Sequence, residues 1–188
     1  HAKAVESSNY AYTYVFDFAV SEKPEEVKPT PLPYSIAFDE DPTAEAGWTV
    51  VDKSLQSGTT WTYGSYTTFE GSRLGMGMQA DYGGGPNGAG PNDYLISPAF
   101  NLEAGKTYTI DMSYTTYQTG GNILLEYGTD INDVSSFTHF ATAQKDGNKY
   151  YPNDKFELTV PEYGVYYIAL HAKAVESSNY AYTYVFDF

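Results

Sequence analysis

From Tyr34 onward the apolar residues of this chain recur at every second position, a period that fits strands and not helices. In "KTYTIDMSYTTY", Lys106–Tyr117, the residues Tyr108, Ile110, Met112 and Tyr114 point one way; Thr107, Thr109, Asp111 and Ser113 point the other. "KFELTV" places Phe156, Leu158 and Val160 on one face. "GVYYIALHA" places Tyr166, Ile168 and Leu170 opposite Tyr167, Ala169 and His171. "GNILLEYG" offers Ile123, Leu125 and Tyr127, and "GWTVVDKS", "SRLGMGMQA" and "NDYLISPAFNL" read as further strands. Glycine and proline clusters separate them, among them Gly83-Gly84-Gly85-Pro86, Gly90-Pro91 and Gly120-Gly121. About ten strands spaced in this way predict an all-β domain of two packed antiparallel sheets. "DINDVSSF" predicts one short helical turn. Aromatic residues make up 17% of the chain and twenty of them are tyrosine, a residue that suits pleated, half-buried surfaces.

Charge and cysteine content narrow the function classes. Ten basic residues against 24 acidic ones give a formal charge of −14, which repels phosphate backbones and argues against nucleic acid as a partner. No cysteine is present, which suits a cytosolic protein, or a bacterial surface protein whose core needs no disulfide. No apolar run approaches the ~18 residues of a membrane span, so membrane insertion by this segment is not expected.

The chain also repeats itself. "HAKAVESSNYAYTYVFDF" occurs at His1–Phe18 and again at His171–Phe188, an offset of 170 residues. Residues 1–20 therefore read as the final strand of a preceding copy of the same domain, in a tandem array. A duplication made in the coding DNA is the competing origin. Residues 21–33 form a proline-rich linker, expected to be extended and polyproline-like, and residues 34–188 form the domain itself. The first copy of the repeated segment is expected to make few contacts with its own core and to promote strand-mediated association or swapping. Its side chains match those of the second copy, so both should fit one slot, with the second favoured by its direct connection to the preceding strand.

The ordered string "YSIAFDEDPTAEAGWTVVDKS…TTW…NDYLISPAFNLEAGKTYTIDMSY…NILLEYGTD…FELTVPEYGVYYIALHA" resembles the cleaved-adhesin domain and the related choice-of-anchor J domains of bacterial surface proteins. The resemblance covers Tyr34 to Phe188. It implies a jelly-roll β-sandwich, related in architecture to MAM and carbohydrate-binding modules. It also implies tandem adhesin modules or accessories of secreted enzymes, often with structural Ca²⁺. Asp39, Asp93 and Asp187 fall at acidic positions of the family and are the calcium candidates that the resemblance implies. Relatives often end in a segment like I-D-D-I-x-V, against "VFDFAV" at Val15–Val20 here, so the domain is expected to close at the equivalent of Val20. Trp48 and Trp61 match core positions of the family.

Ligand candidates come from exposed aromatics and a glycine-rich loop. Tyr63 and Tyr66, in "TTWTYGSYTTF", can stack on sugar rings. Tyr82 and Asn87 lie in "YGGGPNGAGPND", which lets a ligand approach the backbone but lacks the setting and the lysine of a phosphate loop. Catalysis finds no motif: no thiol, no nucleophile elbow, and two independent histidines, His139 and His171, the latter expected to be structural. The expectation is a non-enzymatic binding module on the bacterial outer surface or outside the cell. Its ligand would be a glycan or an extracellular protein, and its neighbours further copies of the same domain. A stalk-like spacer and a carbohydrate-binding accessory of a secreted hydrolase are the competing readings.

Overall fold

The computed structural model describes residues 26–53, 60–80, 92–117, 122–144, 149–173 and 181–188. The strands are β1 (Thr49–Asp52), β2 (Thr62–Thr68), β3 (Gly71–Ala80), β4 (Asn92–Ile96), β5 (Phe100–Leu102) and β6 (Thr107–Tyr117). They continue as β7 (Asn122–Gly128), β8 (Thr138–Ala143), β9 (Tyr151–Thr159), β10 (Gly164–Lys173) and β11 (Ala181–Asp187). One sheet runs β1-β4-β10-β7-β8, with β5 also paired to β10; the other runs β2-β3-β11-β6-β9. The named strands pair antiparallel throughout. The result is the expected all-β, two-sheet antiparallel sandwich.

Alternation builds the core between the sheets. Ile110, Met112 and Tyr114 of β6 are buried with Leu158 of β9, Ile168 and Leu170 of β10, and Ile123 and Leu125 of β7. Each such aliphatic side chain contributes about 1.5–3 kcal/mol on full burial. The helical turn expected in "DINDVSSF" is a 3-10 turn at Val134–Ser136.

The structure departs from the sequence reading in three places. First, "NDYLISPAFNL" is two strands, because Pro98 has no N–H to give to a ladder. Ser97 holds the junction: its N–H donates to the Ile168 carbonyl at 2.9 Å, and its hydroxyl accepts the Ile168 N–H at 3.0 Å. Second, β8 joins the sheet as an edge strand that the period did not reveal; its residues are mostly exposed or half-buried. Third, the face of β6 opposite the core is exposed only along its first half, at Thr107, Thr109 and Asp111, and that of β10 is largely covered. Ser113, Thr115 and Thr116 are buried, and the Thr115 hydroxyl donates to the Lys149 carbonyl at 2.6 Å, so the segment before β9 lies over them. On the other sheet, Ala169 packs with Tyr94, Ile96 and Val134, flanked by Ile131 and Phe137. Phe137 reaches this position only because residue 128 is glycine: a Cβ there would sit 2.1 Å from its ring.

The N-terminal part of the domain closes onto the end of β11. Ile36 and Phe188 exchange both backbone hydrogen bonds, at 2.8 and 3.0 Å, and the Phe38 N–H donates to the Phe186 carbonyl at 2.9 Å. Upstream, Thr30 bridges Phe100, its N–H donating to the Ala99 carbonyl at 2.7 Å. The residues of the expected linker nearest the domain thus touch the sandwich.

Candidate functional site

The outer face of the β2–β3–β11 sheet is where aromatic and charged side chains gather. In "SRLGMGMQA" the glycines alternate with methionines, so Gly75 and Gly77 face outward while Met76 faces the core. The bare backbone at 77 leaves room for the Tyr66 ring, which a Cβ would meet at 2.3 Å. Tyr66 stacks on Tyr184, with centroids 4.4 Å apart and planes at 20°. The Tyr66 hydroxyl donates to the Thr62 carbonyl at 2.6 Å, and burial pushes its pKa up.

Farther along β3, the Arg73 guanidinium lies 3.8 Å from the centroid of the Tyr150 ring, a cation–π contact. Tyr150 in turn meets Phe186 edge-on at 5.6 Å. Glu70 accepts the Tyr150 N–H at 2.9 Å, and this bond holds its carboxyl below the ordinary carboxylate range. The β2–β3 turn is shaped by Thr68, whose hydroxyl accepts the Glu70 N–H at 3.2 Å. The turn closes with Gly71 at φ +121°, a conformation that L side chains rarely adopt. At its tip stands Phe69, 71% exposed. Among the described residues Phe69 is, with Tyr163, the most exposed large hydrophobic side chain, and it stands next to Glu70 on a turn whose β3 arm carries Arg73, a surface suited to contact a partner. Sequence reasoning passed over Phe69, Glu70 and Arg73; the signal was an apolar residue where a turn calls for polar ones.

The expected sugar platform is not one surface. Tyr63 and Tyr66 stand three positions apart on β2 and face opposite sides. Tyr63 leans toward the first part of the domain and donates its hydroxyl to the Asp39 carbonyl at 2.5 Å. Desolvation first, then the negative charges of Asp39, Glu40 and Asp41, push its phenol pKa up. Tyr82 and Asn87 lie outside the described residues; the strand ends beside their loop are Ala80 and Asn92.

The three calcium candidates have separate positions. Asp93 is fully buried on β4; its carboxylate accepts the Lys53 N–H at 2.8 Å, and its carbonyl accepts the Trp61 indole N–H at 3.0 Å. Asp187 caps the irregular end of β11, accepting the Ser113 N–H at 2.9 Å. Asp39 is exposed beside Glu40, Asp41 and Glu45, which line a cavity of about 290 Å³. Among the described residues no three His, Cys, Asp or Glu side chains gather to hold a metal ion. As a joint calcium site the three aspartates do not fit, since two of the carboxylates bind backbone N–H groups in different sheets. Thermal melts with excess calcium and with chelator test for a cation elsewhere on the domain: a calcium-dependent rise would place one on the native state, and superimposed curves would remove it.

His171 is a buried member of the six-stranded sheet. Its Nδ1 lies 3.1 Å from a Glu126 carboxylate oxygen, its Nε2 2.8 Å from the Asn92 side-chain oxygen, and Tyr94 stacks on its ring with centroids 3.9 Å apart. Burial, then the Glu126 charge, push the Tyr94 phenol up to about 12. Both ring nitrogens are engaged across strands, which is the expected structural role.

No family model matches the sequence, and no curated protein matches it. Solved structures do. The K1 cleaved adhesin domain of Lys-gingipain from Porphyromonas gingivalis W83 superposes with a TM-score of 0.53 at 16% identity, covering 82% of this chain and 94% of that domain. The K2 cleaved adhesin domain of Lys-gingipain gives the same score and identity over 82% of this chain and 98% of its own length. The chain has the cleaved-adhesin type of fold.

Proposed function

We propose that this domain is a non-catalytic adhesion module, one unit of a tandem array in a protein of the bacterial outer surface or extracellular space. It binds an extracellular protein or glycan through the β2–β3 hairpin. The fold shared with two adhesin domains supports the class. The observation that carries the site is Phe69, 71% exposed at the tip of a hairpin whose turn carries Glu70 and whose β3 strand carries Arg73. Such a ring loses water only when a partner covers it, and aromatic and arginine side chains dominate the energy of contact surfaces.

The test is binding to immobilised matrix proteins and to a glycan array, with Phe69→Ala and Arg73→Ala alongside the parent chain. Each substitution is expected to weaken binding by about thirtyfold. Phe69→Ala should leave the melting temperature unchanged, because the ring is not part of the core. Binding that survives both substitutions moves the ligand to another face. Silence on both panels supports the spacer reading, which the proline-rich residues 21–33 favour.

A further inference from the structure

The chain has one arginine, Arg73, and among the described residues that side chain makes no ion pair and no hydrogen bond. It stands exposed on β3, on the face of the sheet turned away from the core, and is paired across the hairpin with Tyr66. Acidic residues outnumber basic ones by more than two to one in this chain, so a surface guanidinium has many acceptors within the domain to choose from. Arg73 takes none of those described. Glu70, three residues before it, is engaged elsewhere: one carboxylate oxygen accepts the Tyr150 N–H at 2.9 Å, and the positive charge that acts on it is that of Lys149.

Arg73 rests on a ring instead. Its guanidinium carbon lies 3.8 Å from the centroid of Tyr150. At that distance the group must lie roughly parallel to the ring, because tilting it on edge would drive a nitrogen, ~1.3 Å from the carbon, into the ring. The contact therefore uses the face of the guanidinium and leaves its N–H edges for a partner. Tyr150 is itself fixed, by the backbone bond to Glu70 and by its edge-on contact with the buried Phe186 ring at 5.6 Å. The guanidinium is thus positioned before anything binds, which lowers the entropy cost of binding. A rigid planar fork of N–H donors is the geometry that receives both oxygens of a carboxylate.

We infer that Arg73 is the carboxylate-binding residue of the β2–β3 hairpin, and that the partner is a protein presenting an Asp or Glu side chain beside an apolar one, within a surface that is otherwise basic. This rests on the hairpin being the contact surface. Charge complementarity at two ranges sets the choice. At long range the formal charge of −14 attracts a basic partner and repels a polyanion, which disfavours an acidic polysaccharide. At contact range the single guanidinium calls for one anionic group. The exposed Phe69 ring on the same hairpin calls for an apolar neighbour to that group.

A single arginine makes the test direct, because in the isotope-labelled full chain its guanidinium gives one Nε–H signal by NMR. The probes are the end-capped peptide Lys-Lys-Ser-Leu-Asp-Leu-Ser-Lys-Lys and its counterpart with Asn at the centre. The Asp peptide is expected to move the Arg73 signal saturably and to bind about tenfold more tightly than the Asn peptide. The sign is decisive. The Asn peptide carries the larger positive charge, so unspecific attraction to an acidic domain would favour it instead. Arg73→Lys keeps the charge and loses the fork, and should weaken binding of the Asp peptide by about fivefold, read from the backbone signals of the hairpin. An Arg73 signal unmoved by the Asp peptide, equal affinity for the two peptides, or an Arg73→Lys variant that binds as well as the parent would each overturn the inference. Polygalacturonate that moves the Arg73 signal and displaces the Asp peptide would overturn the choice of a protein partner. Failure of the hairpin reading looks different. Peptide shifts confined to another face and indifferent to Phe69→Ala would remove the hairpin itself. Hairpin shifts that are equal for the two peptides and weakened by Phe69→Ala would keep the hairpin and remove only the carboxylate.

Discussion

Replacement of Trp48 by alanine is expected to lower stability by about 3–5 kcal/mol, the cost of emptying a core site of this size. Trp48 is 2% exposed and stands edge-on to two rings, Phe38 at 5.3 Å and Phe188 at 5.2 Å. Its indole N–H donates to the Tyr34 hydroxyl at 3.0 Å. It therefore clamps the segment Tyr34–Phe38 to the end of β11, and its loss opens that seam as well as the core. At about 2–4 °C per kcal/mol for a domain of this length, the melting temperature should fall by roughly 6–20 °C. Trp48→Phe keeps most of the ring and forfeits the hydrogen bond, so its loss should be about 1–2 kcal/mol. A Trp48→Ala variant that melts within about 2 °C of the parent would show that neither ring contact carries the seam.

Replacement of Gly75 by alanine is expected to cost about 3 kcal/mol, although it adds a single methyl group. A Cβ at this position would lie 2.5 Å from the Val185 carbonyl oxygen and 2.9 Å from the Phe186 ring. The carbonyl belongs to the backbone of β11, so relief requires the strand to move where the β11–β6 register already shifts. Gly64, paired with Gly75 across β2 and β3, is the control. The nearest atoms to its Cβ would be those of the Tyr66 ring and hydroxyl, at 3.5 Å or more, an ordinary contact. Gly64→Ala should therefore change stability by less than about 1 kcal/mol. Equal melting temperatures for the two alanine variants would show that β11 yields freely at Val185.

Strand content, the inward residues and the two-sheet architecture were legible in the chain because side-chain alternation is a local property. Ile110, Met112 and Tyr114 are buried on one face of β6 whatever lies opposite them. The resemblance in ordered motifs gave the type of fold for the same reason, since it is carried by short segments kept in sequence. Relations between distant strands were not legible. Tyr66 finds Tyr184, and His171 finds Glu126 and Asn92, only once register is set, and register depends on every neighbour in the sheet. Asp39, Asp93 and Asp187 look alike as letters, yet pairing of β1 with β4 and of β11 with β6 turned two of them into partners of backbone N–H groups. The cavity beside Phe188 is the clearest case. The sequence by itself determined that Ile110, Leu158 and Ile168 are inward residues of their strands. Only the tertiary structure decided that they line one cavity with Tyr34 and Ser35, because a cavity is a property of surfaces brought together and not of the segments that form them.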